Sequence, residues 1–205
     1  MAEAESKNMN LRMVKCGKVN LKRDNDNLLI TGDGRSLLDD ISSFYEMGIG
    51  HDTMCIGRSI KLPYTSPVKH WVNVDGPDSK WWAEHLPSLR AGPEAGPGQR
   101  PGSPIRHTIG ECAGYDCIWD DGRPDGDPWY GSSALFAALI GLTLGYKAIV
   151  LAGCPLDKEG HWYFGPEHKG PEWREEDYQV WREFASLPKP ATVTSLSGFT
   201  KEVLS

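Results

Sequence analysis

The chain has 205 residues, a formal net charge of -6 and 39% hydrophobic residues. This length is enough for a single well-buried core. The acidic balance argues against nonspecific binding to nucleic acid or to a membrane surface, since both carry negative charge. No apolar stretch is long enough to span a bilayer, and the N-terminus has no signal-peptide core. We therefore expect one cytoplasmic domain of the size of an enzyme.

The cysteine content predicts reduced thiols. Five cysteines are present, an odd number without the density of a disulfide scaffold. Cys112 and Cys117 are spaced CxxxxC without a second pair, which is poor spacing for zinc. We interpret Cys55 and Cys154 as small apolar residues at strand ends rather than as catalytic thiols.

The first 24 residues are polar and charged, which predicts an extension or an extra edge strand, and residues 25–205 form the expected domain. Asn27–Thr31 is a compact apolar strand. It is followed by the turn Gly32-Asp33-Gly34 and by apolar residues at helical spacing over residues 37–45. A strand, a glycine turn and a helix in this order favour an anion such as phosphate at the helix start. The third glycine of a dinucleotide fingerprint is missing, so a simple tight turn is the alternative.

Two further strands are predicted at residues 52–56 and 70–74, and each ends beside residues that can reach a ligand. Gly57 and Arg58 follow the first strand, and Asp75 follows the second. Residues 91–104 are rich in glycine and proline, which predicts a mobile loop or lid. Residues 116–127 hold five aspartates, a composition that suits either a divalent cation or solvated turns.

Residues 130–157 contain a small-residue turn, a helix and a strand in succession. Gly131, Ser132 and Ser133 supply the turn and an N-cap, residues 134–144 form an almost wholly apolar helix, and residues 148–151 form a short buried strand. This order is the second half of a βαβ unit. We therefore predict a single Rossmann-like, three-layer α/β domain with a mostly parallel sheet. Such sheets bind ligands at the carboxyl ends of their strands. We expect the ligand site to combine the turns at Gly32, Gly57, Asp75, Ser132 and Cys154.

The segment after this strand holds the candidate general bases. His161 and His168 stand among aromatic residues in a loop at the carboxyl edge of the sheet, a suitable place for proton transfer. We expect His168 to be the base, because glycine and proline beside it allow the segment to close over a ligand. His161 is expected in a structural hydrogen bond, and a structural role for either histidine is the alternative. Trp162 and Tyr163 predict a stacking wall for a base or sugar, whereas Trp173 predicts packing.

Two motifs carry a resemblance to known families. They are the turn GDGRSL at residues 32–37 and the stretch YGSSALFAALIGLTLGYKAIVLAGCPLD at residues 130–157. They resemble the bacterial CMP-sialic-acid-dependent sialyltransferases, in which a G-x-G-x-S-L turn and a serine-glycine turn before A-x-x-x-x-L-G-Y-K-x-I-x-L-x-G-x-D grip the nucleotide. The chain is also similar to a wider family of Rossmann-like proteins that includes an archaeal hydroxymethylpterin pyrophosphokinase. Short chains of this general appearance occur in phage genomes and prophages.

The resemblance implies a nucleotide-sugar-dependent glycosyltransferase without a bound cofactor, in the cytoplasm of a bacterium or of a phage-infected cell. The alternatives are magnesium-dependent phosphoryl transfer, with the metal on Asp33 or on the neighbouring pair Asp120 and Asp121, and a non-catalytic nucleotide-binding phage protein. Neither nucleic acid nor a membrane is an expected partner, and a homo-oligomer is left open. The expected site consists of catalytic His168 or His161 and of nucleotide-binding Gly32, Asp33, Gly34, Ser36, Gly57, Arg58, Asp75, Ser132, Ser133 and Asp157.

The chain departs from the sialyltransferase pattern at two positions. The aspartate expected after L-x-G-x is Pro155 here, and Asp157 follows two residues later. The residue after the first glycine is Asp33, whose charge repels a phosphate unless it bonds a ribose hydroxyl or a metal. The chain is also shorter than those transferases and shows no acceptor-binding helical subdomain.

Overall fold

The computed structural model describes residues 11–17, 19–62, 64, 67–74, 104–109, 115–120, 132–165, 167–170 and 172–205. Eight strands among these residues form one sheet: β1 (Arg12–Cys16), β2 (Asn27–Thr31), β3 (Asp52–Ile56), β4 (Val68–Val72), β5 (Ile105–Ile109), β6 (Cys117–Asp120), β7 (Ala148–Ala152) and β8 (Thr192–Ser195). The helices are α1 (Leu37–Glu46), α2 (Ser133–Thr143), α3 (Glu175–Ser186) and α4 (Gly198–Leu204), and a 3-10 helix covers Gly57–Lys61.

The sheet is parallel except at one edge. Its strand order is β1-β6-β5-β4-β3-β2-β7-β8, and among the described strands only β1 runs antiparallel to its neighbour. Parallel neighbours need a crossover connection, which α1 supplies between β2 and β3 and α3 supplies between β7 and β8. This arrangement confirms the predicted Rossmann-like α/β fold with a mostly parallel sheet.

The order of the strands changes direction beside β2. Strands β3, β4, β5 and β6 are added on one side of β2, whereas β7 pairs with its other side. The loop after β2 leads into α1, and the loop after β7 leads away on the opposite side. A crevice therefore opens between the carboxyl ends of β2 and β7, as at the topological switch point of open α/β sheets.

Neighbouring side chains on the central strands point to opposite faces of the sheet. Leu28 and Ile30 of β2 belong to the large core that includes α2 and α3, whereas Leu29 packs in a second cluster beneath α1. In β7, Ile149 belongs to the large core, and Val150 packs against the cluster beneath α1. This alternation is that of strands covered on both faces, and it produces three layers.

Helix α2 is the most deeply buried of the described helices. The residues from Leu135 to Gly141 are all buried, which explains why its sequence is apolar on every side. The helix is followed by Gly145, which adopts φ +83° and donates its N–H to the Leu142 carbonyl oxygen at 3.0 Å. This left-handed residue ends the helix and leads directly into β7.

The structure differs from the predicted elements in a few places. Strand β4 covers Val68–Val72 instead of residues 70–74. Strands β5 and β6 were not predicted, and β6 lies inside the aspartate-rich stretch. The edge strand considered for the first 24 residues is β1. Asp75 and residues 91–103 lie outside the described residues. No described helix is long and apolar enough to cross a membrane.

Candidate functional site

A cavity of about 380 Å³ lies at the carboxyl ends of the strands, beside the turns that follow β2 and β7. A volume of this size is typical of small-molecule sites. The lining comes from the loops after β2, β3, β4 and β7, from the first turn of α2 and from the segment that precedes α3. The lining residues are Gly32, Asp33, Gly34, Ile56, Gly57, Asn73, Ser132, Ser133, Ala134, Gly153, Cys154, Pro155, Leu156, Asp157, Gly160, His161 and Trp173.

Two glycine turns bring the loops after β2 and β7 into direct backbone contact. The N–H of Gly32 donates to the carbonyl oxygen of Ala152 at 2.8 Å, and the N–H of Gly34 donates to that of Gly153 at 2.8 Å. A Cβ atom on Gly34 would overlap the ring of Pro155 and lie 2.8 Å from the Gly153 carbonyl oxygen. The absence of a side chain at Gly34 is therefore required by the packing of the two loops.

The first turn of α2 faces the cavity. The hydroxyl oxygen of Ser132 accepts the backbone N–H of Leu135 at 3.3 Å and the indole N–H of Trp181 at 3.0 Å, so Ser132 caps the helix. Ser133 and Ala134, the first two residues of the helix, also line the cavity. The first N–H groups of a helix have no partner within it, and the helix dipole favours negative charge there. This turn therefore suits a phosphate or a carboxylate.

The segment 157–170 lies against the turn that follows β2. Gly34 and His161 form an antiparallel bridge, and the N–H of Trp162 donates to the carbonyl oxygen of Asp33 at 3.1 Å. These contacts join residues that are far apart in the chain. They bring His161 beside the glycine turn.

Arg35 holds the same segment through its side chain. Its guanidinium donates to the carbonyl oxygens of Glu159 at 2.7 Å, Gly165 at 3.0 Å and His168 at 3.1 Å. A guanidinium is a rigid, planar donor group. Three acceptors from one loop therefore fix the loop relative to α1, which begins two residues after Arg35.

His161 is the histidine that lines the cavity. Its Nδ1 lies 3.2 Å from the carbonyl oxygen of Asp33. Because a carbonyl oxygen only accepts, Nδ1 carries the proton in this contact, and Nε2 of the neutral ring is an acceptor. The ring stacks on Tyr163, with centroids 5.2 Å apart and an interplanar angle of 3°. Both contacts orient the imidazole, so Nε2 can take a proton from a group in the cavity.

Asp33 places a carboxyl group in the cavity wall. One carboxyl oxygen accepts the backbone N–H of Arg58 at 3.0 Å, and the other accepts the indole N–H of Trp162 at 3.4 Å. Burial raises the pKa of Asp33, and these two donors with the nearby His161 offset only part of that effect. The ionised carboxyl disfavours a phosphate beside it, whereas a hydroxyl group can donate to it.

The cavity brings together most of the residues that the sequence predicted for a site. They come from the loops after β2, β3 and β7 and from the start of α2. Those that line the cavity are Gly32, Asp33, Gly34, Gly57, Ser132, Ser133, Asp157 and His161.

Ser36 and Arg58 do not line the cavity. The hydroxyl of Ser36 lies 2.8 Å from that of Ser197 and 3.1 Å from a carboxyl oxygen of Asp40, at the start of α1. The Arg58 side chain is exposed, and its guanidinium carbon lies 4.8 Å from the centre of the Tyr163 ring. Ser36 therefore joins α1 to the loop after β8, and Arg58 reaches the cavity through its backbone bond to Asp33.

His168 also lies outside the cavity lining. Its Nδ1 lies 3.1 Å from a carboxyl oxygen of Glu167, and its exposed ring stacks on Phe164. The expected preference for His168 over His161 is therefore not supported by position. His161, the second choice, lies beside the ligand space.

Some lining residues were not predicted by name, although the turn at Cys154 was expected to border the ligand. Gly153 and Pro155 form the turn after β7, and Asn73 follows β4. The sequence Gly-Cys-Pro directly after a buried strand is a turn signal that indicates the first two. Asn73 carries no comparable local signal.

Trp173, Trp162 and Tyr163 lie in positions opposite to those expected from the sequence. Trp173, which was expected to pack, lines the cavity, and its indole N–H donates to the Asp157 carbonyl oxygen at 2.8 Å. Trp162 packs against the cluster beneath α1, and Tyr163 stacks on His161. Neither of the latter two is part of the cavity lining, so the expected stacking wall is not formed by them.

Asp33 and Asp120, two of the residues considered for magnesium, have other partners. Within the described residues, no group of three or more His, Cys, Asp or Glu side chains is arranged to hold a metal ion. Asp33 accepts two N–H groups. Asp120 pairs with Arg12 at 3.3 Å at the β1–β6 edge, and three strands separate β6 from β2. Asp121 lies outside the described residues.

Comparison with known proteins gives information on the fold. No family model and no curated protein matches the chain. A solved structure of an α-2,3-sialyltransferase from Campylobacter jejuni, in its apo form, is similar with a TM-score of 0.50. The match covers 85% of this chain and 76% of that chain at 14% sequence identity. At this identity the likeness shows the α/β fold.

Proposed function

We propose that the protein is a glycosyltransferase that binds a nucleotide sugar in the cavity between β2 and β7 and transfers the sugar to a hydroxyl group. The observation that carries this proposal is the convergence of the β2 turn, the start of α2 and His161 on one cavity. The fold likeness to an α-2,3-sialyltransferase supports it. The resemblance of the two sequence motifs supports a CMP-activated sialic acid as the donor.

In this proposal the donor phosphate lies at the first turn of α2. Ser133 and Ala134 offer backbone N–H groups there, and the positive end of the helix dipole stabilises the charge that develops on the phosphate as it leaves. Asp33 receives a hydroxyl of the ribose or of the sugar, since its ionised carboxyl repels a phosphate. A leaving phosphate held by N–H donors needs no divalent cation.

His161 is the general base of the proposed reaction. The Asp33 carbonyl oxygen holds the ring proton on Nδ1, so Nε2 accepts the proton of the acceptor hydroxyl. The hydroxyl oxygen attacks the anomeric carbon of the sugar. The bond from that carbon to the phosphate oxygen breaks, and the phosphate leaves with the electron pair. The protonated imidazole then releases its proton to water.

The test is nucleotide release by the purified protein in the presence of EDTA. CMP-sialic acid, UDP-sugars and GDP-sugars are supplied separately, with and without a galactose-terminated oligosaccharide as acceptor, and the released nucleotide is quantified. We expect CMP release from CMP-sialic acid. Release from a UDP- or GDP-sugar would retain the reaction class and change the donor. A parallel assay without EDTA supplies ATP with magnesium. Turnover of ATP there, and of no nucleotide sugar in EDTA, would overturn the proposal.

A further inference from the structure

Cys16 and Cys117 face each other across the ladder between β1 and β6. Their Sγ atoms lie 2.7 Å apart, although the two residues are 101 positions apart in the chain. Both are free thiols in the structure. Three strands separate β6 from β2, so this pair is remote from the cavity at the carboxyl end of β2.

The backbone register at this pair suits a covalent link. The N–H of Gly17 donates to the carbonyl oxygen of Asp116 at 2.7 Å, which makes the adjoining residues a hydrogen-bonded pair. Cys16 and Cys117 are therefore a non-hydrogen-bonded pair, for which the Cα atoms of an antiparallel ladder lie about 4.5 Å apart. This spacing falls within the range of roughly 4.4–6.8 Å found for bridged cysteines.

We propose that Cys16 and Cys117 are a redox modification site that reacts with a small-molecule disulfide, such as oxidised glutathione, and closes reversibly to a disulfide bond that links β1 to β6. This inference does not depend on the proposed function. It follows from the register of two strands and the contact of two sulfur atoms.

The exposure of the two thiols sets the order of the reaction. Cys16 is half-buried, whereas Cys117 is fully buried, and its burial and the contact with Cys16 raise the pKa of its thiol. The Cys16 thiolate attacks one sulfur of the oxidant and displaces one thiolate, which leaves a mixed disulfide. Cys117 then gives up its proton to the displaced thiolate and attacks Cys16 Sγ, which displaces the second thiolate. That thiolate takes up from water the proton that Cys16 lost at the start. Two protein thiols are oxidised, and one small disulfide is reduced to two thiols.

The link would fasten the least protected strand of the sheet. Strand β1 has no fully buried residue, its single neighbour in the described sheet is β6, and its register shifts between Met13 and Lys15. A disulfide across this ladder closes a loop of about a hundred residues and restricts the unfolded chain. We expect oxidation to raise Tm by on the order of 5–10 °C.

The experiment treats the reduced full-length protein with oxidised glutathione and follows intact mass, peptide maps and Tm. The expected result is the loss of two hydrogens per chain, a cross-linked peptide pair that contains Cys16 and Cys117, and a higher Tm that dithiothreitol reverses. The variants Cys16→Ser and Cys117→Ser should each lose the cross-link and the Tm shift. Because Cys117 is buried, Cys16→Ser is the variant that remains informative if Cys117→Ser fails to fold.

Cys112→Ala is the matched control, since Cys112 lies close to Cys117 in the chain and outside the described residues. It should keep both the cross-link and the Tm shift. A glutathione adduct that persists on Cys16, a cross-link that includes Cys112, or oxidation without a cross-linked peptide would each overturn the proposal.

Discussion

The two edges of one sheet bury titratable side chains in opposite ways. At the carboxyl edge, Asp33 and His161 form part of a cavity wall. At the amino edge, Asp52 and Tyr146 begin a row of buried polar groups that does not line this cavity. The comparison teaches that a buried ionisable group indicates a site when a ligand can reach it, and a structural network when every polar atom already has a partner.

The buried row has a defined direction of hydrogen bonding. The indole N–H of Trp119 donates to Nδ1 of His107 at 3.1 Å, and Nε2 of His107 lies 3.0 Å from Nδ1 of His70. Nε2 of His70 lies 3.1 Å from the hydroxyl of Tyr146, which donates to Asp52 at 2.7 Å. Because an indole nitrogen only donates, each group in the row donates to the next. The row therefore joins four strands of the sheet and the loop before β7.

The pKa values of Asp33 and Asp52 are shifted in opposite directions. Burial raises the pKa of Asp33, since its two N–H donors and His161 offset only part of the cost of desolvation. Burial also opposes ionisation of Asp52, but hydrogen bonds from Asn25, Tyr146 and a backbone N–H, with Lys69 nearby, outweigh it and lower the pKa. The fold therefore stabilises the charge on Asp52 and disfavours the charge on Asp33.

The largest expected effect is on turnover at the cavity. His161→Asn keeps a side-chain N–H that can donate to the Asp33 carbonyl oxygen, but it removes the imidazole nitrogen that accepts a proton. We expect the rate of sugar transfer to fall by about a hundredfold or more, with nucleotide affinity and Tm nearly unchanged.

His168→Ala is the matched control for this change. His168 is exposed and lies outside the cavity lining, so transfer rates should stay within about twofold of the unmodified protein. Full activity of His161→Asn, together with a loss of activity in His168→Ala, would identify His168 as the general base. The measurement is steady-state kinetics of nucleotide release with each variant.

Tyr146→Phe should act on stability and leave the cavity unchanged. The change leaves the buried Nε2–H of His70 without its acceptor and removes one donor to Asp52. We expect the free energy of unfolding to fall by about 2–3 kcal/mol. Urea unfolding gives this value, and nucleotide titration of the same variant should give an unchanged Kd. A large change in Kd would mean that the two edges are coupled.

Acid should destabilise the fold through the buried row. Burial lowers the pKa of His70 to about 4 and that of His107 well below its ordinary value. Both rings stay neutral in the fold but take up protons in the unfolded chain below pH ~6.5, so stability is complete above that pH and declines from there toward pH 4. A histidine whose pKa is ~6.5 in the unfolded chain and about 4 in the fold lowers the free energy of unfolding by about 2 kcal/mol between pH 7 and pH 5.

Urea unfolding at pH 7, 6 and 5 measures this decline. Asp52 does not contribute in that window, because its lowered pKa confines its effect to below pH ~4, where its stabilising charge is lost. An unfolding free energy that stays constant from pH 7 to pH 5 would contradict neutral burial of the two histidines.

The smallest effect in this series concerns the loop that carries His161. Arg35→Met removes three hydrogen bonds to carbonyl oxygens of residues 159, 165 and 168. We expect kcat to fall by about tenfold, because a less fixed loop holds the imidazole less often in position. Arg35→Lys, which keeps the charge but not the planar donor group, should show a smaller loss. Equal kcat for all three proteins would show that Arg35 does not position the base.

Much of the fold could be predicted because its central elements carry local signals. The apolar run of β7 follows an apolar helix and a left-handed glycine, and β2 is followed by a glycine turn. Strand β5 has no such signal, since two of its five residues, Arg106 and His107, are basic side chains that interrupt the apolar pattern. His107 is tolerated inside because distant Trp119 and His70 bond it. Those partners are not visible in the local sequence.

The site could be predicted in outline for the same reason. Both small-residue turns lie at the carboxyl edge, and any parallel sheet brings such turns together. The choice between His161 and His168 depends on the bridge to Gly34 and on the bond to Asp33, which joins residues 128 positions apart. Ser36 was expected to face the ligand, yet its partner Ser197 is 161 positions away. Contacts of this range are set by tertiary packing.

The central claim is that the start of α2 binds the phosphate of a nucleotide, and the variants that test it have to spare the fold. Gly34→Val is unsuitable because it would overlap Pro155, and Ser132→Trp would remove the cap of α2. Ser133→Glu adds a negative charge at the first residue of α2, where the helix dipole favours it. Thr143→Glu adds the same charge at the exposed far end of the same helix.

The most direct measurement is calorimetric titration of CMP, in EDTA, into the unmodified protein and these two variants. The unmodified protein and Thr143→Glu should bind CMP with the same Kd, and Ser133→Glu should bind at least about tenfold more weakly without a lower Tm, because its carboxylate repels the phosphate. Equal binding by Ser133→Glu and the unmodified protein would contradict a phosphate site at the start of α2.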